Sequence, residues 1–375
     1  MAGIYIHIPF CKQACSYCDF YFVTRTSERE HFVQRLVSEI ESYEASSFTS
    51  EAVQTIYFGG GTPSLLEPRQ VERILEAVRR TFPMEVREIT FEVNPDDVHA
   101  EFLEDLYSLG ITRLSMGVQS FQPALLEFMH RAHSREEALD CLRLLDKSAF
   151  EAYTVDLIYG NPGQQLEELE KDLDLLLDFD PPHVSAYSLT VEDRTRLGKQ
   201  VKLGRVIPPE EEMVAAHFDL VNARLIDQGI ERYEVSNYSR PGYEAVHNSS
   251  YWNHHNYLGL GPGAHSFWWE GEAVRWEQKR SLREFLRGED VSSDAERLTL
   301  EQLAEERLMM GLRTREGVSF DQLNKRYLYS FSGRQIAYLR ERQEEGKLTL
   351  DSRLRLSDRG IKIADAIILD LITLH

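Results

Sequence analysis

The 375-residue chain sets 42 Lys and Arg against 62 Asp and Glu, a net charge of −20. That balance argues against a broad nucleic-acid footprint or an anionic membrane surface, while a few local Arg side chains could still hold a small anion. The length suits one large domain plus a smaller one, the first residues lack the basic and apolar regions of a signal peptide, and no run approaches the ~18 apolar residues of a membrane span, so a cytoplasmic protein is expected.

Residues 3–9 read Gly-Ile-Tyr-Ile-His-Ile-Pro, a period-two strand with Ile4, Ile6 and Ile8 on one face and Tyr5 and His7 on the other. Directly after it come Cys11, Cys15 and Cys18, three of the four cysteines in the chain. Thiols used so sparingly elsewhere and gathered here point to one metal centre. Three thiolates suit an iron-sulfur cluster that leaves one iron open to another ligand. Zinc is the first rival, but a closed zinc site needs a fourth protein ligand, usually from a second Cys-x-x-Cys, and the chain has none. A disulfide framework is the second, and it needs an even, dispersed cysteine set in a small secreted chain.

Ser27 to Glu30 reads as a capping box, and Val33, Leu36, Val37 and Ile40 predict a helix to about residue 47. The strand-helix unit then recurs. A strand over 53–58 ends in Gly59-Gly60-Gly61-Thr62-Pro63 and precedes a helix with Val71, Ile74, Leu75 and Val78 inward. A third strand, 87–93, closes with Asn94-Pro95-Asp96 before a helix near 98–109; a fourth, 113–120, precedes a helix opened by a capping signal at Ser134 to Glu137. Strands five and six, 151–159 and 183–191, flank an amphipathic helix with Leu166, Leu169, Leu173 and Leu176. Such alternation implies a parallel sheet with right-handed crossovers.

Strand parity refines the architecture. Ile89, Phe91 and Val93 oppose Thr90, Glu92 and Asn94; Leu114, Met116 and Val118 oppose Ser115, Gly117 and Gln119; Val155 and Leu157 oppose Thr154 and Asp156. A doubly wound sheet would want both faces apolar, so a curved sheet around a polar lumen is expected: an α/β fold, an open partial (β/α)6 barrel. Chemistry in barrels collects where strands end, and the cysteine loop, the glycine turn, Glu92 and Gln119 all fall on that rim.

Beyond the sixth strand, residues 208–225 are helical by spacing, Cys141 reads as a buried small hydrophobe, and Gly259 to Gly263 is weak as a dinucleotide fingerprint. Charged helices at 305–312, 320–327 and 335–344, a hairpin of 348–350 with 354–356, and a last helix over 360–371 suggest a small winged-helix-like module. Given the acidic charge, it is expected to cover the barrel or dock a protein. The expected units are a core barrel at 1–235, an extension and linker at 236–297, and a C-terminal domain at 298–375.

Cys11-x3-Cys15-x2-Cys18 after a first strand, with a Gly-rich end to the second, resembles the radical S-adenosylmethionine (SAM) superfamily. The strings Tyr5 to Cys11, Phe58 to Pro63, Gly117 to Phe121, Asp156 to Gly160 and Tyr257 to Ser266 are similar to those of the oxygen-independent coproporphyrinogen III oxidases and their relatives, and the resemblance spans nearly the whole chain. It implies a [4Fe-4S] cluster on the three cysteines, whose open iron chelates SAM and one electron from which splits the sulfonium, and an electron donor as partner. It also implies SAM contacts: backbone approach at Gly60, Gly61 and Thr62, acceptors at Glu92 and Asp156, either role at Gln119, a planar fork at Arg131, and Tyr5 beside the cluster loop. Plain alternatives stay open: turn glycines, lumen salt bridges, a solvated Arg and a core Tyr.

Two departures from the oxidases matter. Phe20 stands where they carry a fourth cysteine, and the first strand begins almost at Met1, where they have a preceding segment that covers the active site. His247-Asn248-Ser249-Ser250-Tyr251-Trp252 instead resembles the His-Asn-x-x-Tyr-Trp signature of haem chaperones of the HemW type, which bind haem and pass it to acceptor proteins such as respiratory enzymes. That resemblance implies His247 as an axial haem ligand with Tyr251 and Trp252 stacked on the macrocycle; a loop histidine among core aromatics is the alternative. The expected function is a haem chaperone with a SAM-ligated cluster, with the oxidase, or a radical enzyme on another substrate, as alternatives. No nucleic-acid partner is expected, and the absence of a membrane span leaves room for peripheral association.

Overall fold

Alternation of Ile with polar and aromatic residues builds β1 (Ala2–Ile8), whose Ile4, Ile6 and Ile8 are buried in the main core. The computed structural model describes residues 2–289 and 295–374. After β1, strand and helix repeat as α1 (Arg29–Glu41), β2 (Val53–Gly60), α2 (Pro68–Thr81), β3 (Met84–Val93), α3 (Ala100–Ser108), β4 (Arg113–Gln119), α4 (Pro123–Phe128), α5 (Arg135–Asp146), β5 (Ala152–Tyr159), α6 (Leu166–Leu177) and β6 (His183–Ser188). Next come α7 (Arg196–Lys202), α8 (Glu211–Asp227), β7 (Glu231–Arg232), β8 (Asn237–Ser239), α9 (Val246–Trp252), β9 (Asn256–Leu260), β10 (His265–Glu270), β11 (Glu272–Glu277), α10 (Leu282–Leu286) and β12 (Glu296–Leu298). The chain ends in α11 (Leu300–Gly311), β13 (Val318–Ser319), α12 (Phe320–Tyr327), α13 (Gly333–Glu344), β14 (Leu348–Leu350), β15 (Arg353–Leu356), α14 (Asp358–Ile361) and α15 (Ala364–Thr373). Among the described residues no helix is long and apolar enough to cross a membrane.

β1 to β6 lie side by side in sequence order and are parallel. On the outer side of β1 the sheet continues with β9, also parallel, and then the antiparallel β10, β11 and β12; beyond β6 come antiparallel β8 and β7. Residues 236–297 thus supply strands to both flanks of the barrel sheet. The expected parity holds: Ile89, Phe91, Leu114, Met116, Val155 and Leu157 join the core under the helices, while Thr90, Glu92, Ser115, Gly117, Thr154 and Asp156 face a cavity on the other side.

Some local expectations fail for identifiable reasons. The Ser27 box does not form: α1 is capped at Glu28 without a side-chain bond, and Ser27 Oγ accepts from Arg25 Nε at 3.1 Å. The helix ends at Glu41, because Ser42, Ser46 and Thr49 bond to carbonyls three residues back and turn the chain. Ser134 does form its box with Glu137. The sixth strand stops at Ser188, and the last helix is broken into α14 and α15 at Ile363, which leaves the helical region with φ −123°.

A second core joins Leu303, Leu308, Leu323, Leu339, Leu354 and Leu371 of the C-terminal module to Phe267 and Ala273 of the sheet. Helix, strand, two helices and a hairpin close on a three-stranded sheet of order β13-β15-β14, a winged-helix-like arrangement.

At the start of the lumen, Glu88 accepts from Arg113 Nε at 3.1 Å and from the backbone N–H groups of Val246 (2.9 Å) and His247 (2.8 Å). Its negative charge therefore sits at the N-terminus of α9, where exposed amides favour it. Arg113, 3% exposed, also donates to Thr154 Oγ1 and to the Tyr243 carbonyl. Replacing Arg113 by Met strands the Glu88 charge in the interior and is expected to cost about 3–5 kcal/mol, read as a lower urea midpoint by circular dichroism; an unchanged midpoint would show that the pair does not hold this corner.

Candidate functional site

The polar faces of the strands enclose a cavity of about 960 Å³, at the upper end of the ~300–1,000 Å³ common for small-ligand sites. It runs from the cysteine loop, beyond the C-terminal ends of the strands, to α9, β9 and α11 near their N-terminal ends.

The cysteine loop is held from several sides. Its neck closes through Cys11 N to Val23 O (3.0 Å) and Val23 N to Pro9 O (2.7 Å). Ser16 donates through N and Oγ to the Met129 and Phe128 carbonyls, and its own carbonyl accepts from Leu197 N at 2.7 Å. Lys12 pairs with Asp96 and Asp97, and Gln13 Nε2 donates to the His130 carbonyl. The three thiols are free and partly buried. Thr62 Oγ1 donates to Cys11 Sγ at 3.6 Å, and Arg131 Nη1 to Cys15 Sγ at 3.4 Å. Burial pushes the Cys11 thiol up to about 11 and Cys18 to about 12, so these become thiolates only against strong positive charge such as a metal. Among the described residues no three His, Cys, Asp or Glu side chains are gathered to hold a metal ion. The buried Arg131, whose Nε lacks a partner, suits a site of net negative charge.

The glycine turn presses on the loop's neck. Gly60 has φ +107°, and a Cβ there would lie 2.5 Å from the His7 ring; one on Gly61 would lie 2.7 Å from the Phe10 carbonyl oxygen and 2.8 Å from that of Ile8. Thr62 follows, accepting from Asn94 Nδ2 at 3.3 Å. Glu92 accepts from the Tyr57 hydroxyl at 2.8 Å; burial, with the Asp156 charge adding, raises its carboxyl to about 7. Asp156 accepts from Ser115 Oγ at 3.2 Å, and burial raises it to about 6. Tyr5 stacks on Tyr57 with ring centroids 6.0 Å apart, its hydroxyl 3.2 Å from His7 Nδ1. Gln119 sits at an irregularity of β4 with φ +68°, a costly conformation for a residue with a Cβ, and lines the cavity.

Tyr5, Gly60, Gly61, Thr62, Glu92, Gln119, Arg131, Asp156 and the three cysteines all line this one cavity. Two expectations need correction. Arg131 is not a free fork: its Nη2 donates to Asn94 Oδ1 (2.7 Å) and the Gly117 carbonyl (2.8 Å) while Nη1 meets Cys15. His247 is not open to a metal. It is 0% exposed, its Nδ1 lies 2.8 Å from Thr55 Oγ1 and its Nε2 2.7 Å from the Tyr251 hydroxyl, and its ring stacks on Tyr57. The ring therefore joins α9 to β2 and positions Tyr251, and it is Tyr251 that reaches the cavity wall. Trp252 receives the Arg307 guanidinium on its carbonyl. Sequence reasoning passed over Asn94 and Ser185 as site residues, although strand parity could have found both, and over Tyr17, His254 and His255, which no local pattern marks.

Residues 5–176 match the family model described as the Radical SAM superfamily, and residues 298–363 that of the HemN C-terminal domain. The chain is 34% identical over 370 residues to the heme chaperone HemW of Lactococcus lactis, covering 96% of this chain and 94% of the relative. It is 36% identical over 296 residues to the heme chaperone HemW of Escherichia coli, covering 78% and 77%. It is also 33% identical over 386 residues to the mitochondrial radical S-adenosyl methionine domain-containing protein 1 of Danio rerio, covering 98% and 86%. Among solved structures, the coproporphyrinogen III oxidase HemN of Escherichia coli, a radical SAM enzyme, superposes with a TM-score of 0.83 at 20% identity over 99% of this chain and 90% of that one, a likeness of fold.

In the ligand-free cavity Glu92 keeps its proton to about pH 7, whereas the unfolded chain releases it in the ordinary carboxylate range. The unfolded chain thus binds fewer protons between those values, and stability falls as pH rises through the window. Glu92→Gln keeps an acceptor for Tyr57 and removes the charge, so the ligand-free variant should gain roughly 2–4 °C in Tm at pH 8 and none at pH 4. Equal differences at both pH values in a thermal scan would refute this.

Proposed function

Because the chain belongs to the radical SAM superfamily and, within it, to the family of the heme chaperone HemW, we propose that it binds haem and delivers it to acceptor proteins. Likeness along almost the whole length to a chaperone of that name carries the reading. Phe20, 68% exposed at the mouth of the cavity where the oxidases carry a fourth cysteine, supports it against coproporphyrinogen decarboxylation.

In this reading Cys11, Cys15 and Cys18 hold a [4Fe-4S] cluster, and SAM lies against Tyr5, Gly60, Gly61, Thr62, Glu92, Gln119 and Asp156. When bound, the cluster supplies the open iron that chelates SAM and the electron that can cleave it. The chain's own contributions are electrostatic and steric. Glu92 and Asp156 face the cationic amino group as carboxylates or accept from hydroxyls; Arg131 offsets the charge at Cys15. Gly60 and Gly61 let the turn seat against the neck of the cysteine loop, and Tyr5 with Tyr57 walls off water. The cavity thus serves SAM binding whether or not each delivery consumes it. Residues 1–235 form the radical SAM core, 236–297 its extension and 298–375 a winged-helix-like cover or docking surface for acceptors, which include respiratory enzymes. The protein works in the cytoplasm with an electron donor, and contact with membrane-bound acceptors is peripheral.

Anaerobic purification should yield about four iron and four sulfide per chain, lost in Cys15→Ala, together with haem uptake in titration and transfer to an apo-acceptor. Stoichiometric zinc in place of iron and sulfide would sink the cluster assignment, and turnover of coproporphyrinogen III under reducing conditions would replace the chaperone by the oxidase.

A further inference from the structure

The cavity has two ends, and the cluster and SAM account for one. β1 and β9 run parallel with Ala2 opposite Asn256, so the residues just before Asn256 lie beyond the N-terminal ends of the strands, away from the loop that follows Ile8. There α9 turns into β9 through His254, whose φ is +53°, and α11 packs against the turn: Arg307 donates to the Trp252 carbonyl, and Glu306 lies 3.5 Å from His254 Nε2. Tyr251, Tyr257, Phe267 and Met310 line this end with His254 and His255. Three aromatic rings and a thioether make a wall for a flat apolar ligand.

The histidines along the cavity differ in what their ring nitrogens already do. His7 meets the Tyr5 hydroxyl and the Tyr21 carbonyl; His183 Nε2 meets the Tyr233 hydroxyl at 2.8 Å, while its Nδ1 is buried without a partner. His254 is taken by the Tyr327 hydroxyl at 3.1 Å and by Glu306, and His265 faces Glu277 at 3.9 Å. Among the described residues no side-chain hydrogen bond reaches the His255 ring, and its Nδ1, like that of His183, is buried without a partner, an arrangement folded proteins rarely leave unfilled. Of the cations at this end, Arg275 pairs with Glu296 and Glu306, Arg326 lies over the Trp269 ring and donates to the His254 carbonyl, and Arg307 donates to the Trp252 carbonyl and keeps a buried Nε without a partner. A metalloporphyrin takes an imidazole on its iron and apolar walls along its ring.

We propose that His255 is the axial ligand through which this protein holds haem iron, with the macrocycle along Tyr251, Tyr257 and Phe267 at the end of the cavity opposite the cysteine loop. This assignment rests on the haem-binding reading above. It puts the cargo at the seam between the barrel and the C-terminal module, apart from the SAM pocket.

The test is a haemin titration of the full-length, cluster-reconstituted protein, followed by Soret absorption and low-temperature electron paramagnetic resonance. His255→Gly should bind haemin on the order of 10- to 100-fold more weakly, the loss typical when a metal site is robbed of support, with a changed ligation signature that free imidazole restores; that rescue also shows the variant is folded. His255→Tyr should bind haemin with a shifted Soret band. If wild type binds haemin and His255→Gly matches it in affinity and spectrum, the ligand assignment falls while the chaperone stands. If wild type binds none, both fall.

Discussion

Each parallel strand of the barrel must give one face to the helices and the other to the lumen, and everything that functions here depends on that division. A slip of one residue in any strand would drive Glu92 or Asp156 into the core and expose Phe91 or Val155. The division is expensive on the lumen side, where carboxylates and a guanidinium sit out of bulk water. It is sustained by pairing: Glu88 with Arg113, Glu92 with Tyr57, Asp156 with Ser115. The parity that sets aside the apolar core thus also produces the polar wall of the ligand cavity.

Arg131 shows how the rim is assembled from distant parts of the chain. One guanidinium touches the end of β3 through Asn94, the backbone of β4 at Gly117 and the cysteine loop at Cys15. The loop has little secondary structure of its own, so its shape comes from such contacts together with the α4 and α7 segments that hold Ser16. Loops that carry chemistry on a rigid scaffold are commonly fixed in this way.

The six strands, their faces, the inward stripes of the helices and the rim cysteines were legible because each rests on local periodicity. Sheet order beyond β1 was not. Tyr257 to Gly263 reads as a glycine cluster, yet β9 needs those glycines to approach its neighbours: a Cβ on Gly259 would lie 2.1 Å from the His265 carbonyl oxygen, and Gly261, at φ +87°, donates to Glu39. His247 was misjudged for a related reason. A histidine beside two aromatics suits a haem ligand or a packed hydrogen-bond node equally well, and Thr55, which decides the matter, lies far away in sequence on β2. Ser27 failed as a cap because its hydroxyl had a nearer partner in Arg25.

The place of β1 in the sheet has a consequence for how the chain reaches its final state. This first strand is flanked by β2 on one side and by β9, near the end of the sheet region, on the other. During synthesis at ~5–20 residues per second, the stretch between those two neighbours takes roughly 10–40 s to emerge. For that interval the strand that leads into the cysteine loop has an open edge of unpaired amides and carbonyls, a template for the wrong partner. Closing it is a contact of very long sequence separation, of the kind that folds late and slowly. β1 is made long before its second neighbour, and the cysteine loop behind it settles into its final frame only once the chain has been made as far as β9.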